Sequence, residues 1–314
     1  MTGLIIYGPI PSRRLGRSLG INNIPPKTCS YSCVYCQLGN TTNIQTERQT
    51  FYNPEKIAQS VKQKVKQVEK IGEKIDYLTF IPDGEPTLDA NLGREIELLK
   101  SLNIKIAVIT NGSLIWREDV RQDLQKADWV SLKIDAVTQE IWHSINKPKK
   151  SLKIERILDG IVKFADAFTG ELTTESMLVK GINDDVREIE RIAEFLVKLK
   201  PDKAYLAIPT RPPAKRTISA ATEQAVNLAY QVFAKRLNTV EYLIGYEGNA
   251  FAFSGNIEEE LLSITSVHPM REEAVTELLK KAGSGWELVE KMIKDGTLVE
   301  VRYRGNRFYV KKLP

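Results

Sequence analysis

The sequence predicts an α/β fold, a partial (β/α)6 TIM-like barrel followed by a small winged-helix-like module. Short β-branched runs alternate with helical stretches between about residues 15 and 237. That alternation belongs to a parallel sheet joined by crossover helices. Beyond residue 256 the texture changes to three short helices and a basic hairpin. An open doubly wound sheet is the alternative, but no Gly-x-Gly-x-x-Gly follows the first strand. A full eight-unit barrel takes ~250 residues, so six units fit the available length better. The expected division is 1–255 for the barrel and 256–314 for the module.

The strand candidates, in order, are 18–24, 75–81, 104–109, 129–134, 173–179 and 204–208. Helix candidates lie between and after them at 54–71, 91–101, 117–126, 152–168, 185–199 and 221–237. Asn53-Pro54 and Asp184-Asp185 read as helix starts. In the first helix Ile57, Val61, Val65 and Val68 recur at the helical period, with Lys62, Lys64 and Lys66 on the wet side. In the last segment 258–263, 271–281 and 285–294 read as helices. A hairpin then joins 299–303 to 307–311 across Gly305-Asn306. Residues 257–314 carry ten acidic and ten basic side chains. Five of the basic ones, Arg302, Arg304, Arg307, Lys311 and Lys312, nevertheless fall in the last 13 positions, which makes a local basic wing.

The 314 residues include 45 Lys and Arg against 40 Asp and Glu, a net charge of +5, with 42% hydrophobic residues. This is the balance of a globular chain and excludes a disordered tail or a collagen-like fibre. A charge of +5 does not by itself imply nucleic acid. Leu4-Ile5-Ile6-Tyr7 is shorter than a signal-peptide core, and no run approaches the ~20 apolar residues of a membrane span. The expected setting is a reducing cytoplasm with no membrane partner.

All three cysteines lie in Cys29-Ser-Tyr-Ser-Cys33-Val-Tyr-Cys36, so a disulfide framework is excluded. Three thiolates on one tight loop can hold three corners of a cubic iron–sulfur cluster and leave the fourth iron open. Thiolates select iron–sulfur or zinc over hard cations. The alternatives are a zinc site completed by His143 or His268, or three buried thiols.

The C-x3-C-x-aromatic-C loop, with Tyr35 as its aromatic, resembles the signature of the radical S-adenosylmethionine (radical SAM) enzymes. Further elements agree in order: Asp83-Gly84-Glu85-Pro86-Thr87, Thr110-Asn111-Gly112, Ser131-Leu132-Lys133-Ile134-Asp135, Val179 to Asp184, and Ile208 to Pro212. Each follows or occupies a strand end, and the resemblance covers about residues 8–255. It implies a 4Fe–4S cluster on Cys29, Cys33 and Cys36, with the methionine amine and carboxylate of S-adenosylmethionine on the fourth iron. It implies cofactor contacts from Tyr35, Asp83, Gly84, Glu85, Pro86, Thr110, Asn111, Ser131, Lys133, Asp135 and Asn183. Tyr35 is placed for the adenine or for packing, Glu85 for the ammonium or a loop cap. Ser131 or Lys133 is placed for the carboxylate, and Asn183 for the ribose or a helix cap. One departure is Asp83, where the family carries glycine; it adds a carboxyl near the ammonium.

Arg13, Arg14, Arg17 and Lys27 put four cations beside the presumed mouth, where guanidinium forks suit phosphate or carboxylate. They fit a substrate-anion site, plain surface charge or the cofactor carboxylate. The run from Gly8 to Gly20, leading into Lys27-Thr28-Cys29, resembles the radical SAM subgroup of iron–sulfur oxidoreductases, itself similar to the tRNA wyosine-base synthases. Those synthases carry a second cluster, and this chain has no cysteines for one. Reductive cleavage of S-adenosylmethionine to a 5′-deoxyadenosyl radical is the implied chemistry, fed by a one-electron donor such as flavodoxin or ferredoxin. The substrate classes to separate are an RNA (tRNA) nucleoside, a peptide or protein side chain, and a small molecule. A non-catalytic zinc-binding nucleic-acid adaptor is the reading from another class.

Overall fold

A computed structural model describes residues 6–213, 215, 217–244, 251, 253 and 256–312. The main sheet is built from β1 (Ile6–Ser12), β2 (Gly16–Ile21), β5 (Tyr77–Phe80), β6 (Lys105–Thr110), β7 (Trp129–Lys133), β8 (Glu171–Met177), β9 (Lys203–Ala207) and β10 (Val240–Leu243), in that spatial order. Two short strands, β3 (Thr28–Cys29) and β4 (Asn43–Ile44), pair in parallel on either side of the cysteine loop. From β2 to β10 every neighbour is parallel; β1 alone runs antiparallel, against β2. The crossovers are α1 (Pro54–Lys70), α2 (Leu92–Leu99), α3 (Glu118–Leu124), α4 (Gln139–Asn146) with α5 (Ile154–Ala167), α6 (Val186–Leu199) and α7 (Glu223–Ala234). The result is a curled, open half-barrel.

The six expected strands are all present. A seventh parallel strand, β10, and the antiparallel β1 extend the sheet at its two ends, and α4 adds a helix the periodicity did not show. The two faces of the sheet follow the period of two. Leu78, Phe80, Ile106, Val108, Val130 and Leu132 pack outward under the helices. Ala107, Trp129, Tyr205, Ala207 and Leu243 line the inside with Leu15. Helix starts are set by side chains: Asn53 accepts from the Lys56 amide and Asp185 from the Arg187 amide. On α1 the buried stripe is Ile57, Ala58, Val61, Val65 and Val68.

The C-terminal part is α8 (Ile257–Val267), β11 (Met270–Arg271), α9 (Glu272–Lys281), α10 (Glu287–Lys294), β12 (Leu298–Tyr303) and β13 (Asn306–Lys311). Its three strands pair antiparallel in the order β11-β13-β12. Residues 254 and 255, where the sequence puts the division, lie outside the described residues, as do 313 and 314. The hairpin turn is Arg304-Gly305 and not Gly305-Asn306. Both turn residues have positive φ, 49° and 79°, as a two-residue turn between twisted strands requires. This part has its own apolar cluster around Leu261, Ile264, Met270, Leu278, Val289 and Leu298. It is tied to the barrel by a Lys64–Glu260 ion pair, by Ser263 Oγ donating to Ile6 O (3.4 Å) and by Tyr303 Oη donating to Pro209 O (3.0 Å).

Candidate active site

The cysteine loop closes the end of the half-barrel where the parallel strands finish, the face on which such barrels place their chemistry. Packing on two sides and a bond within the loop seat it. Gly84 lies so close to the loop that a Cβ there would sit 1.8 Å from Thr28 O, and the Glu85 amide donates to that same oxygen (3.1 Å). On another side, Ser32 and Val34 amides donate to Asn146 O (3.0 Å) and Ile145 O (2.9 Å) at the end of α4. Within the loop the Cys36 amide donates to Cys33 O (3.1 Å).

The three cysteines are part-exposed as residues, while their thiols lie inside the loop and meet N–H donors. Asn111 Nδ2 approaches Cys29 Sγ (3.4 Å), Asn146 Nδ2 approaches Cys33 Sγ (3.4 Å), and the Tyr31 amide points at Cys29 Sγ (3.5 Å). Burial pushes all three thiols up, Cys33 to about 12, with Asp135 adding to it at Cys33 and Glu85 at Cys29. Such thiols give up their protons only against incoming positive charge, and donors aimed at sulfur stabilise the thiolate once formed. An all-thiolate set with this environment fits an iron–sulfur centre. Among the described residues no three His, Cys, Asp or Glu side chains converge as ligands of a single metal ion. His143 is exposed on α4. His268 lies against Arg211 (3.2 Å), whose Nη1 donates to Gln37 Oε1 (2.9 Å).

Behind the loop, Glu85 is buried and caps a 3-10 turn, Pro86–Leu88. Its Oε1 accepts from the Thr87 amide (3.1 Å), Thr87 Oγ1 (2.6 Å) and Thr110 Oγ1 (2.5 Å); its Oε2 accepts from the Asn111 amide (2.8 Å). Of its two expected roles the cap is the one its geometry shows. Pro86 fills the first position of that turn, and its carbonyl accepts from Asn23 Nδ2 (3.3 Å). Asp83 is buried beside Asn22, whose Nδ2 donates to Asp83 Oδ2 (3.4 Å), while Asp83 Oδ1 has no partner. Burial pushes this carboxyl up to about 7.

Asp135 joins several elements. It accepts from the Met177 amide (2.9 Å) at the end of β8, from Asn146 Nδ2 (2.7 Å) and from Tyr35 Oη. Asn183 is fully buried and does not cap the following helix. Its Nδ2 donates to Asp135 O (2.8 Å) and Met177 O (2.8 Å), and its Oδ1 accepts from the Val179 amide (2.8 Å). Its polar atoms are occupied by backbone at the ends of β7 and β8, and Asp185 caps the helix instead.

Inside the barrel lies a group the sequence did not single out. Glu175, on β8, bridges Arg14 Nη1 (2.5 Å) and Lys133 Nζ (2.6 Å). Burial alone would raise this carboxyl, but Lys133 and Arg14 outweigh it and hold it at about 2. Burial would lower Lys133, and Glu175 and Asp135 together move it upward instead. Lys133 also lies over the Tyr35 ring, 5.0 Å from its centroid. Arg14 therefore faces inward, and Arg17 pairs with Glu73, so two of the four expected anion-binding cations are held by acids of the chain itself. Ser131 Oγ, one turn of the pleat from Lys133, is buried without a partner.

The mouth holds a cleft of ≈ 250 Å³ lined by Tyr35, Cys36, Lys133, Glu175, Met177 and Arg211, among others. Ile208, Thr210 and Arg211 also line a second cavity of ≈ 510 Å³, whose opposite wall is Arg271, Arg304, Asn306 and Phe308 of the C-terminal part.

A half-barrel with a three-cysteine loop at its strand ends defines a class, and comparison with known proteins agrees. The model of the radical SAM superfamily matches residues 23–196, more than half the chain, and the chain belongs to that superfamily. Members of this superfamily use S-adenosylmethionine and a 4Fe–4S cluster. Over nearly its full length the chain is similar to UPF0026 protein MJ1312 of Methanocaldococcus jannaschii, with 48% identity over 311 residues, 98% of this chain and 96% of the relative. Among solved structures it is similar to a radical SAM methyltransferase from Sphaerobacter thermophilus (TM-score 0.54, 15% identity, 72% of this chain and 66% of that one). It is also similar to TYW1 with a lysine-pyruvate adduct bound (TM-score 0.52, 15% identity, 70% and 74%). At those identities the likeness is one of fold.

Proposed function

We propose that the chain is a radical SAM enzyme that cleaves S-adenosylmethionine reductively and modifies a substrate bearing an anionic group, an RNA nucleoside being the class favoured. The observation that carries this reading is the placement of Cys36, Tyr35 and Lys133 on the wall of one cleft at the barrel mouth. Cys29, Cys33 and Cys36 would hold a 4Fe–4S cluster, which when bound and reduced would supply the electron for reductive cleavage of S-adenosylmethionine to methionine and a 5′-deoxyadenosyl radical, the species that would abstract hydrogen from the substrate. The protein's part is to bind, orient and exclude water. Tyr35 is fixed by Asp135 and offers its ring to the adenine. Lys133 and the orphaned Ser131 hydroxyl face the methionine carboxylate. Glu85, Thr110 and Asn111 hold the loop and the strand ends in register behind them.

The substrate class is supported by charge. The second cavity shares Ile208, Thr210 and Arg211 with the cleft and also has Arg271 and Arg304 in its lining. The element order of residues 256–312, with its exposed Arg302 and Arg304, supports a winged-helix module that meets phosphates. A peptide or a small molecule remains the competing substrate. Anaerobic incubation of the reduced enzyme with cell RNA, peptides and metabolites, read by mass spectrometry, tests the assignment. A mass change confined to RNA supports it, and one confined to peptides or metabolites overturns it.

A further inference from the structure

A run of lysines lies against the outer side of the cysteine loop. Helix α4 ends at Asn146, and Lys147 takes a left-handed conformation (φ 45°) before Pro148. This turns the chain back along residues 30–34. The Lys149 amide donates to Ser30 O (2.9 Å), Tyr31 and Pro148 form an antiparallel bridge, and the Ser32 amide reaches both Asn146 O and Lys147 O (3.0 and 3.2 Å). Asn146 itself touches Cys33 Sγ (3.4 Å). The lysine segment therefore begins one residue away from a side chain in contact with a cluster thiol.

Residues 147–153 read Lys-Pro-Lys-Lys-Ser-Leu-Lys, four cations with no acid between them. Lys150 and Lys153 are exposed, Lys147 and Lys149 half-buried, and none forms an ion pair among the described residues. Lys215, from the loop after β9, lies within hydrogen-bond reach of Lys147, and this like-charge contact lowers Lys147 below the usual ammonium range. None of these lysines lines the mouth cleft. A partner seated on them leaves the cleft open to substrate.

We propose that this lysine face docks an acidic one-electron carrier protein, which delivers its electron beside Cys33. The proposal rests on the radical SAM reading of the site. The carrier is oxidised by one electron, the iron–sulfur centre is reduced by one, and no atom moves. Two features favour such a carrier over RNA. The face is built from lysines, strongly hydrated point charges on flexible stems that suit a brief, salt-sensitive encounter, whereas bidentate phosphate recognition favours arginine forks. It also lies off the cleft yet next to a cluster ligand, where an electron must enter and a substrate need not.

The test uses an acidic flavodoxin as probe and the variant Lys149→Glu/Lys150→Glu/Lys153→Glu, with Lys62→Glu/Lys66→Glu/Lys70→Glu on α1 as the charge-matched control. The expected result is flavodoxin binding weaker by about tenfold or more in the first variant and unchanged in the control. Wild-type binding should also fall as salt rises. With dithionite as reductant, which needs no docking, 5′-deoxyadenosine formation by the first variant should match wild type. Equal flavodoxin affinity in all three proteins overturns the proposal. So does loss of RNA binding in the variant while flavodoxin binding persists. If wild type gives no 5′-deoxyadenosine with dithionite, the radical SAM reading fails instead, and the affinities still report on the surface.

Discussion

At the scale of single residues, side chains that look like cofactor contacts in sequence divide into two kinds. Glu85 and Asn183 have their polar atoms filled by the protein's own groups, whereas Ser131 Oγ and Asp83 Oδ1 are buried without partners. The first kind positions the loop and strand ends, and the second leaves a buried polar atom unsatisfied. Gly84 shows how tight the positioning is, because its missing Cβ is what lets Thr28 approach. Gly84→Ala should displace the cysteine loop, and iron content after anaerobic reconstitution should fall severalfold; full loading would refute the close-packing account. Asn183→Ala removes three hydrogen bonds at buried backbone groups and should destabilise the fold by about 2–4 kcal/mol in denaturant unfolding. Glu175 escaped the sequence reading for a physical reason. A lone Glu in a β-branched run reads as a solvated position, and only the curl of the sheet turns that face inward toward Arg14 and Lys133. Glu175→Gln leaves two half-buried cations without this shared counter-charge and should cost about 1–3 kcal/mol. A loss below ~1 kcal/mol would mean water already shields the pair.

At the scale of elements, the long periodic segments were legible and the short or polar ones were not. The helix α1 and the strands β5 to β9 follow apolar patterns that only one secondary structure satisfies. β1 was not legible because Gly8, Pro9 and Pro11 read as loop, and an antiparallel edge strand tolerates them. β10 has four residues, of which only Leu243 is buried, and α4 shows the core little more than Trp142 and Ile145. A turn shared by β5 and α2 carries a second unexpected feature. Asp89 and Glu95 are both fully buried, and burial followed by the negative charge of Asp89 pushes Glu95 up to about 9. A carboxyl raised on folding binds its proton more tightly in the native state. Stability is then highest below the ordinary value of 4.5 and declines as pH rises toward about 9. Thermal unfolding across that window should show the decline, and Glu95→Gln should make it shallower, leaving the smaller share of Asp89, which burial raises to about 6. A wild-type profile already flat from pH 5 to 9 would contradict the assignment.

At the scale of the whole molecule, the half-barrel and the C-terminal part meet around the mouth, through Tyr303 at Pro209 and Arg211 between Gln37 and His268. These contacts place the basic hairpin beside the strand ends, which no reading of the chain in one dimension could show. If the hairpin meets RNA phosphates, affinity falls steeply with salt. Arg302→Ala with Arg304→Ala should then reduce the slope of log affinity against log salt by up to about 2. An unchanged slope would remove the hairpin from the interface. The cysteine loop and the strand-end motifs were readable because each depends on residue type at fixed spacing. The ion triad, the second cavity and the lysine seam depend on which distant segments the fold brings together. The central claim is tested most directly by anaerobic reconstitution with iron and sulfide, addition of dithionite and S-adenosylmethionine, and measurement of 5′-deoxyadenosine. Wild-type protein should release it and Cys33→Ala protein should not; equal release from both would contradict the account.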